Sequence, residues 1–326
     1  MGNPSAQAGR LFEETGRERW PEQISVRIAW YYYVLGLTQQ EIAAKLGINR
    51  IRVNRLLAEA RRRGIVRVTI HSKLAENVEL EDKLSRTFGL ESAEVVIGDT
   101  DDENRLAEII GAAAALSLGG RYRHGMTIGI AWGVTLKALA QTTVETPLKD
   151  VDVVSMLGSF SRRSSKDSFE ATTDLAARLN AECYYLPGPI VCDSEEGCDT
   201  ILQQPMVREV YAKVLAADLA LVSVGGLDSS TIRRMDFVTD EEFRDVMRAG
   251  AIGNFLGYYI DENAEVLDHP INRRVIGLRP GAFRAIPSRV MISGGPTKVR
   301  ALRALLERGY LTELFTDQDT ARAILA

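Results

Sequence analysis

Residues 39–58, QQEIAAKLGINRIRVNRLLA, have the pattern of two helices joined by a tight turn. Apolar side chains recur at helical spacing in both halves, namely Ile42, Ala43, Leu46, Val53, Leu56 and Leu57. Gly47 falls where a chain leaving a helix often needs the left-handed conformation, and Asn49 can cap the second helix with its side-chain oxygen. The stretch therefore predicts a helix-turn-helix, whose second helix enters the DNA major groove by its N-terminal end.

The polar side chains of this unit are of the types that contact DNA. Arginine can pair with guanine and asparagine with adenine, and either can hold a phosphate. An ordinary helical hairpin with a solvated charged face is the alternative interpretation. The turn glycine, the small residue at position 43 and the apolar positions all agree, so DNA binding is favoured. The predicted DNA-contacting residues are Gln39, Asn49, Arg50, Arg52, Asn54 and Arg55.

A further helix is predicted ahead of this unit, over residues 22–36. Its expected apolar side is formed by Ile24, Ile28, Trp30, Tyr31, Val34 and Leu35. The three tyrosines at 31–33 could form an aromatic surface for nucleic acid, but binders of single strands interleave aromatic with basic residues. We therefore expect these tyrosines to pack against the two later helices.

The distribution of charge separates a small basic segment from a larger acidic one. The chain has 326 residues, 26% of them charged, and a net charge of −4. Residues 1–70 contain 12 Lys and Arg against 6 Asp and Glu, whereas the remainder contains 28 against 38. A basic head on an acidic body is typical of a DNA-binding domain fused to a domain with another task. We predict a DNA-binding domain over residues 1–72 and a sensing and oligomerisation domain over 73–326.

Composition also bounds the location and the chemistry of the protein. No apolar stretch is long enough to span a bilayer, and the polar start MGNPSAQAGR is not typical of a signal peptide. The three cysteines, at 183, 192 and 198, lack the spacing of metal ligands, and their odd number disfavours a disulfide framework. The expectation is a cytoplasmic protein without a membrane segment, a metal or a cofactor.

The rest of the chain alternates between strand-like and helical segments. The alternating IVRVTI at 65–70 predicts a short strand that could form a wing beside the helices. Further strands are predicted at 93–98, 126–130, 151–158, 181–188, 218–226 and 289–295, with helices between them. This spacing indicates a parallel sheet covered on both faces. The predicted fold class is α/β: a small all-α or winged helix-turn-helix domain followed by a Rossmann-like parallel-sheet domain.

Three glycine-containing loops follow predicted strands, over residues 129–135, 224–230 and 293–298. In open α/β sheets, ligands bind beyond the carboxyl ends of the strands, where loops meet helix N-termini. Free N–H groups at such a helix start favour an anion, and Thr135 can add its hydroxyl. Lys298 at another helix start can supply positive charge. One glycine turn is weak evidence, but three at strand ends favour a site for a phosphorylated small molecule.

The combined pattern resembles the SorC family of bacterial sugar-responsive transcription regulators. The resemblance is carried by the head motif through residue 70, by GIAWGVT (129–135), GAIGNFLGYYID (250–261), ISGGPTKVRAL (292–302) and LFTDQDTARAIL (314–325). It extends from about residue 24 to the end. It implies a winged-helix-like head, an effector domain similar to phosphosugar isomerases of the glucosamine-phosphate deaminase type, and a tetramer that binds a phosphorylated sugar or related catabolite.

The resemblance also implies an effector site. The residues that match it are Trp132, Gly133, Val134, Thr135, Gly158, Ser159, Glu170, Gly225, Gly226, Asn254 and Lys298. The first four match the phosphate loop of the family, and Lys298 matches a basic ligand contact. This chain departs from the family at Ala131, where a serine is common, and at Asn254, where an acidic residue is common. The second change indicates a more polyol-like or differently charged effector.

An enzyme is the competing hypothesis, because isomerases of this sheet type share the expected body. Such enzymes need a carboxylate base and often a histidine. His269 is the only histidine near a candidate loop, and a turn before Pro270 explains it more simply. We predict no catalytic residue, and a phosphosugar isomerase or deaminase with a fused head remains the alternative. The favoured function is a transcriptional regulator of a carbohydrate or sugar-alcohol catabolic operon. Its expected partners are operator DNA with palindromic or repeated half-sites, a phosphorylated effector and further copies of itself.

Overall fold

A computed structural model describes residues 23–66, 75–159, 171–227 and 238–326. The chain forms two compact units, Met1–His71 and Ser72–Ala326, which we call the head and the body. Within the described ranges, no helix is long and apolar enough to cross a membrane.

The described part of the head, residues 23–66, contains three helices, over residues 23–33, Gln39–Leu46 and Arg50–Arg62. A capping box starts the second helix: the Glu41 N–H donates to the Thr38 hydroxyl, and the Thr38 N–H donates to the Glu41 carboxylate at 2.7 Å. Gly47 ends this helix in the left-handed region at φ 64°. Asn49 caps the third helix by accepting from the Arg52 N–H at 2.8 Å. The turn chemistry predicted from Gly47 and Asn49 is confirmed.

The core of the head confirms most of the predicted apolar positions, and the first helix departs from them. Ile28, Ile42, Val53, Leu56 and Leu57 are buried together, and the three tyrosines at 31–33 pack partly buried against them. However, Trp30 on the first helix, and Val34 and Leu35 in the turn that follows it, are each more than half exposed. The expectation that they face the core was wrong, since three short helices bury only the stripe of each helix that meets the other two. The predicted wing extends to residue 70, beyond the described residues, which stop at 66.

The body is built on a seven-stranded sheet in the order β1-β10-β9-β5-β2-β3-β4, in which all pairs are parallel. Its strands are β1 Ser92–Val96, β2 Thr127–Ile130, β3 Asp152–Ser155, β4 Glu182–Tyr184, β5 Leu219–Val222, β9 Ser288–Ile292 and β10 Glu313–Asp317. All four residues of the central strand β5 are buried, as expected where helices cover both faces of a sheet. The predicted α/β fold with a parallel sheet is confirmed.

A second sheet of three antiparallel strands was not predicted from the sequence. It contains β6 Val224–Gly225, β7 Gly253–Phe255 and β8 Tyr258–Ile260. The helices of the body described by the structure are Ala75–Phe88, Glu103–Leu118, Val134–Thr142, Thr172–Leu179, Glu195–Leu202, Pro205–Leu215, Asp240–Arg248, Pro270–Arg273, Pro280–Phe283, Val299–Glu307 and Gln318–Leu325.

The order of the strands decides where a crevice opens in the large sheet. The chain proceeds from β2 outward to β3 and β4, and then returns to place β5 on the other side of β2. The loops that follow β2 and β5 therefore leave in different directions. Such a switch point at the carboxyl ends of the strands is where open α/β sheets bind their ligands.

Candidate functional site

A cleft lies at this switch point and brings the three predicted loops together. From the first loop it is lined by Trp132, Gly133, Val134 and Thr135. From the other two it is lined by Gly225 and Lys298, and from the small sheet by Asn254. Seven of the predicted effector residues, drawn from four separate stretches of the chain, thus line one cleft.

The loop after β2 presents a helix N-terminus to the cleft. Gly133 is the residue before helix Val134–Thr142 and has φ 138°, which favours glycine. A Cβ built on Gly133 would meet nothing within 4 Å, so its Cα borders open space. The first N–H groups of a helix have no partner inside it and carry partial positive charge. This part of the cleft can therefore hold an anion.

Thr135 adds a hydroxyl on the first turn of the same helix. Its side chain is only 3% exposed, and its hydroxyl makes no hydrogen bond to another described residue. The hydroxyl oxygen itself is not among the buried polar atoms that lack a partner, so it still reaches the solvent of the cleft. Thr135 therefore offers a ligand a hydrogen bond that the protein itself does not use.

Lys298 brings a positive charge to the cleft from the loop after β9. That loop is fixed by Gly295, which has φ 104° and whose N–H donates to the Thr320 hydroxyl at 2.7 Å. Desolvation by the surrounding protein lowers the pKa of the Lys298 ammonium, and the carboxylates of Glu103 and Asp317 oppose this shift. No hydrogen bond or ion pair of the ammonium is found within the part of the chain that the structure describes.

Glu103 is a residue of the cleft that sequence reasoning missed. It begins helix Glu103–Leu118, which Asp102 caps by accepting from the Asn104 N–H at 2.8 Å. Its carboxylate accepts from the Thr297 hydroxyl at 2.9 Å, next to Lys298. The helix was predicted from the sequence, and the rule that ligands gather at the carboxyl ends of strands could have placed its start here.

Asn254 enters the cleft from the small sheet, where it pairs with Gly225. The side chain is 8% exposed, and its amide nitrogen donates to the Gly257 carbonyl at 2.9 Å. This bond leaves the amide oxygen of Asn254 as the atom that can accept a hydrogen bond from a ligand. Leu256 and Gly257, in the turn of the same hairpin, complete this wall and were not predicted.

Of the predicted effector residues that the structure describes, Gly158, Ser159 and Gly226 do not line the cleft. A Cβ on Gly158 would lie 2.7 Å from the Pro189 carbonyl oxygen, and the Ser159 N–H donates to the Gly188 carbonyl at 2.8 Å. These two residues join the end of β3 to the segment at 188–189. Gly226 is buried next to Gly225 in the chain. Glu170 lies outside the described residues.

In the head, four of the six predicted DNA-contacting residues lie in the first two turns of the third helix, Asn49 caps that helix, and Gln39 begins the second helix. Arg50, Arg52, Asn54 and Arg55 are exposed. Gln39 accepts a hydrogen bond from the Arg50 guanidinium at 3.5 Å, which links the starts of the second and third helices. The side-chain oxygen of Asn49 is used in the helix cap, so only its amide nitrogen remains for DNA.

Comparison with family models separates the same two parts of the chain. Residues 72–326 match the family Sugar-bind, described as "Putative sugar-binding domain". Residues 28–63, which contain the helix-turn-helix, match Sigma-70, region 4.

Full-length relatives share both parts. The chain is 34% identical to the transcriptional regulator LsrR of Escherichia coli K12 over 93% of this chain and 94% of that protein. It is 29% identical to the erythritol catabolism regulatory protein EryD of Brucella abortus over 93% and 96%. Among solved structures, the full-length sorbitol operon regulator SorC of Klebsiella pneumoniae matches with a TM-score of 0.71 and 26% identity, over 93% of this chain and 99% of that chain.

A helix-turn-helix head joined to an α/β body with an anion-type cleft defines a transcriptional regulator that binds DNA and senses a small molecule. More specifically, the chain belongs to the SorC family of sugar-binding transcriptional regulators. The family predicted from the sequence is confirmed. Because the relatives are regulators, the prediction of a regulator rather than an isomerase or deaminase is confirmed as well.

Proposed function

We propose that this protein is a cytoplasmic regulator of a carbohydrate or sugar-alcohol catabolic operon. Residues 1–72 bind operator DNA, and residues 73–326 bind a phosphorylated effector and assemble the protein as a homo-oligomer, a tetramer. The proposal depends above all on the cleft, which combines a helix N-terminus, the unpaired hydroxyl of Thr135 and the half-buried ammonium of Lys298. These are three donors suited to one phosphate group.

The hydrogen-bond acceptors of the cleft support a ligand that carries hydroxyl groups. The amide oxygen of Asn254 and the carboxylate of Glu103 are hydrogen-bond acceptors, and a sugar alcohol presents several donors. The names of EryD and of SorC refer to erythritol and to sorbitol, two sugar alcohols. The proposed effector is therefore a sugar or sugar-alcohol phosphate, whose phosphate lies at Gly133–Thr135 and whose hydroxyl groups face Asn254.

Regulation follows if the effector prefers one arrangement of the subunits and the operator another. A ligand shifts such an equilibrium only by the difference between its affinities for the two states. Two heads in one oligomer would bind two half-sites separated by about one helical turn of DNA or a multiple of it. The proposed operator therefore contains palindromic or repeated half-sites.

The first test measures both activities together. The fluorescence anisotropy of labelled DNA from upstream of the gene is titrated with protein at fixed salt. The titration is repeated with tetrose, pentose, hexose and polyol phosphates, and with their unphosphorylated parents. We expect one phosphorylated compound to shift the binding curve, and its parent to have no effect. A parent that acts as strongly as its phosphate would contradict the proposed phosphate site.

Replacing Thr135 by valine should weaken the response to the effector about tenfold or more. The substitution keeps the shape of the side chain and removes one hydrogen bond to a charged group, which is worth about 1.5–3 kcal/mol. The measured quantity is the effector concentration that gives half the change in anisotropy. Thr143→Val is the matched control: Thr143 ends the same helix, is equally buried, and donates to the Leu139 carbonyl away from the cleft. Equal responses of the two variants would remove Thr135 from the site.

Replacing Arg55 by alanine should weaken operator binding by about 5- to 150-fold, since one arginine contact to a base is worth about 1–3 kcal/mol. The side chain is exposed, so the denaturation midpoint should not change. Arg86→Ala is the control, because Arg86 is an exposed arginine of the body, paired with Asp82 at 2.9 Å. Both variants are compared with the native protein by anisotropy at two salt concentrations. Unchanged affinity of Arg55→Ala would refute its assignment.

A further inference from the structure

Ile51 is the most exposed of the large apolar side chains in the described part of the chain, with 82% of its surface accessible. It is the second residue of helix Arg50–Arg62, the second helix of the helix-turn-helix. A side chain exposed to water does not stabilise the head by burial, and isoleucine is a poorer helix former than alanine. Its presence is therefore not explained by folding.

The position of Ile51 on the helix points it directly away from the core. Successive residues of an α-helix are rotated by about 100°, so the buried residues of this helix lie roughly 140–240° around the axis from Ile51. Those buried residues are Val53, Leu56, Leu57 and Ala60. Ile51 thus occupies the middle of the outer face, near the helix N-terminus that a helix-turn-helix inserts into the major groove.

The surroundings of Ile51 fit DNA better than a protein surface. Arg50 and Arg52 are its neighbours in the chain, and Arg55 lies one turn further along the same face. All three side chains are exposed. A protein partner that covered Ile51 would also have to take up these three charges, whereas the phosphates that flank the major groove match them. The one apolar group exposed in the major groove is the methyl group of thymine.

We infer that Ile51 contacts the C5-methyl group of a thymine in each operator half-site, and so contributes to sequence specificity. The inference rests on the proposed recognition helix and adds an apolar contact to its polar ones. Arginine and asparagine read hydrogen-bonding groups of guanine and adenine, while Ile51 distinguishes a base pair by its methyl group. Ile51 therefore contributes to the choice of DNA sequence and does not bind phosphate.

The test removes the methyl group from the DNA instead of only changing the protein. Binding sequences are first selected from a random pool with the full-length protein. Each thymine of the selected half-site is then replaced by uracil, which lacks only this methyl group. For the native protein we expect one position in each half-site at which uracil weakens binding about fourfold, the value of one buried methyl-sized group.

Ile51→Ala should bind the thymine and uracil DNAs equally well, and no better than the native protein binds the uracil DNA. The substitution does not touch the core, since Ile51 is exposed. Val34→Ala is the control: Val34 is an exposed apolar residue outside the recognition helix, and this variant should keep the sensitivity to the methyl group. Ile51→Val, which retains a branched side chain, should keep part of it.

Two results would overturn the inference. One is a native protein that tolerates uracil at every position of the half-site. The other is an Ile51→Ala variant that remains as sensitive to uracil as the native protein is. If the affinity of this variant for thymine DNA and for uracil DNA also falls by the same factor, Ile51 makes a contact of another kind. The proposed recognition helix is tested separately by Arg55→Ala. If that variant loses affinity while Ile51→Ala changes nothing, only the methyl contact fails; if neither changes binding, the recognition helix fails as well.

Discussion

Replacing Lys298 by methionine should abolish the response to the effector while leaving operator affinity unchanged. Methionine keeps the apolar stem of the lysine and removes its charge. A charged hydrogen bond to a phosphate is worth up to about 3 kcal/mol, which corresponds to about 100-fold in effector concentration. The loss should be larger still, because the Glu103 carboxylate, which lines the cleft and now stabilises the ammonium, would repel the phosphate once the charge of Lys298 is gone.

The repulsion between Glu103 and the phosphate is tested with a second variant in the same experiment. In the double variant Lys298→Met with Glu103→Gln, the repelling charge is gone while an oxygen that can accept a hydrogen bond remains, so part of the lost response should return. Lys149→Met is the control, since Lys149 is an exposed lysine of the body that does not line the cleft. Anisotropy of the operator is measured against effector concentration for each protein. A Lys298→Met variant that responds within threefold of the native protein would exclude Lys298 from phosphate binding.

The parts of the fold that local chemistry determines were predictable from the sequence. The helix-turn-helix follows from Thr38, Gly47 and Asn49, each of which acts on residues within one turn of its own position. The α/β body follows from the alternation of apolar strands with amphipathic helices. The cleft follows in outline too, because loops after parallel strands must meet at one edge of the sheet.

Contacts between distant parts of the chain were not predictable in the same way. Glu103 meets Thr297 across 194 positions of sequence, and no local signal marks that pair. Strands β7 and β8 contain only three residues each, too few for an alternating pattern to be recognised. The family resemblance supplied Asn254 but not the hairpin that holds it.

The apolar residues of the head illustrate a third limit. Periodicity identifies the helices, yet it does not tell which apolar residues meet a neighbouring helix. Trp30 and Ile51 are both exposed, although isoleucine and tryptophan are usually taken as core residues. For Ile51, the structure was needed to show that an apolar side chain occupies the centre of the face that the arginines mark as DNA-binding.

Gly111 offers the clearest test of how the cleft is supported. It lies in helix Glu103–Leu118, which packs against helix Val134–Thr142. A Cβ on Gly111 would lie 2.2 Å from the Thr135 carbonyl oxygen and 3.0 Å from the Ala138 Cβ. Both helices begin at the cleft, so any separation at this contact would also move the loop at 129–135 relative to Lys298.

Two physical effects of Gly111→Ala have opposite signs, and their magnitudes decide the result. Within a helix, alanine is better than glycine by about 1 kcal/mol. The clash is with main-chain atoms, which cannot rotate away, and overpacking of this kind costs typically 1–3 kcal/mol and sometimes more. At 2.2 Å the overlap is severe, so we expect the free energy of unfolding to fall by about 2–3 kcal/mol net. The change in the free energy of unfolding is measured by urea denaturation of the full-length protein, from the midpoint and the slope of the transition.

Gly119→Ala is the matched control for this prediction. Gly119 ends the same helix with helical dihedral angles, and a Cβ there would meet nothing within 4 Å. That variant should be as stable as the native protein or slightly more so, because only the backbone preference changes. If Gly111→Ala were stabilised like Gly119→Ala, the close contact would be absent in solution. The loop at 129–135 would then owe its position to its own backbone and to its links with the sheet, such as the Ala131 N–H donating to the Leu221 carbonyl at 3.0 Å, rather than to the helix that carries Glu103.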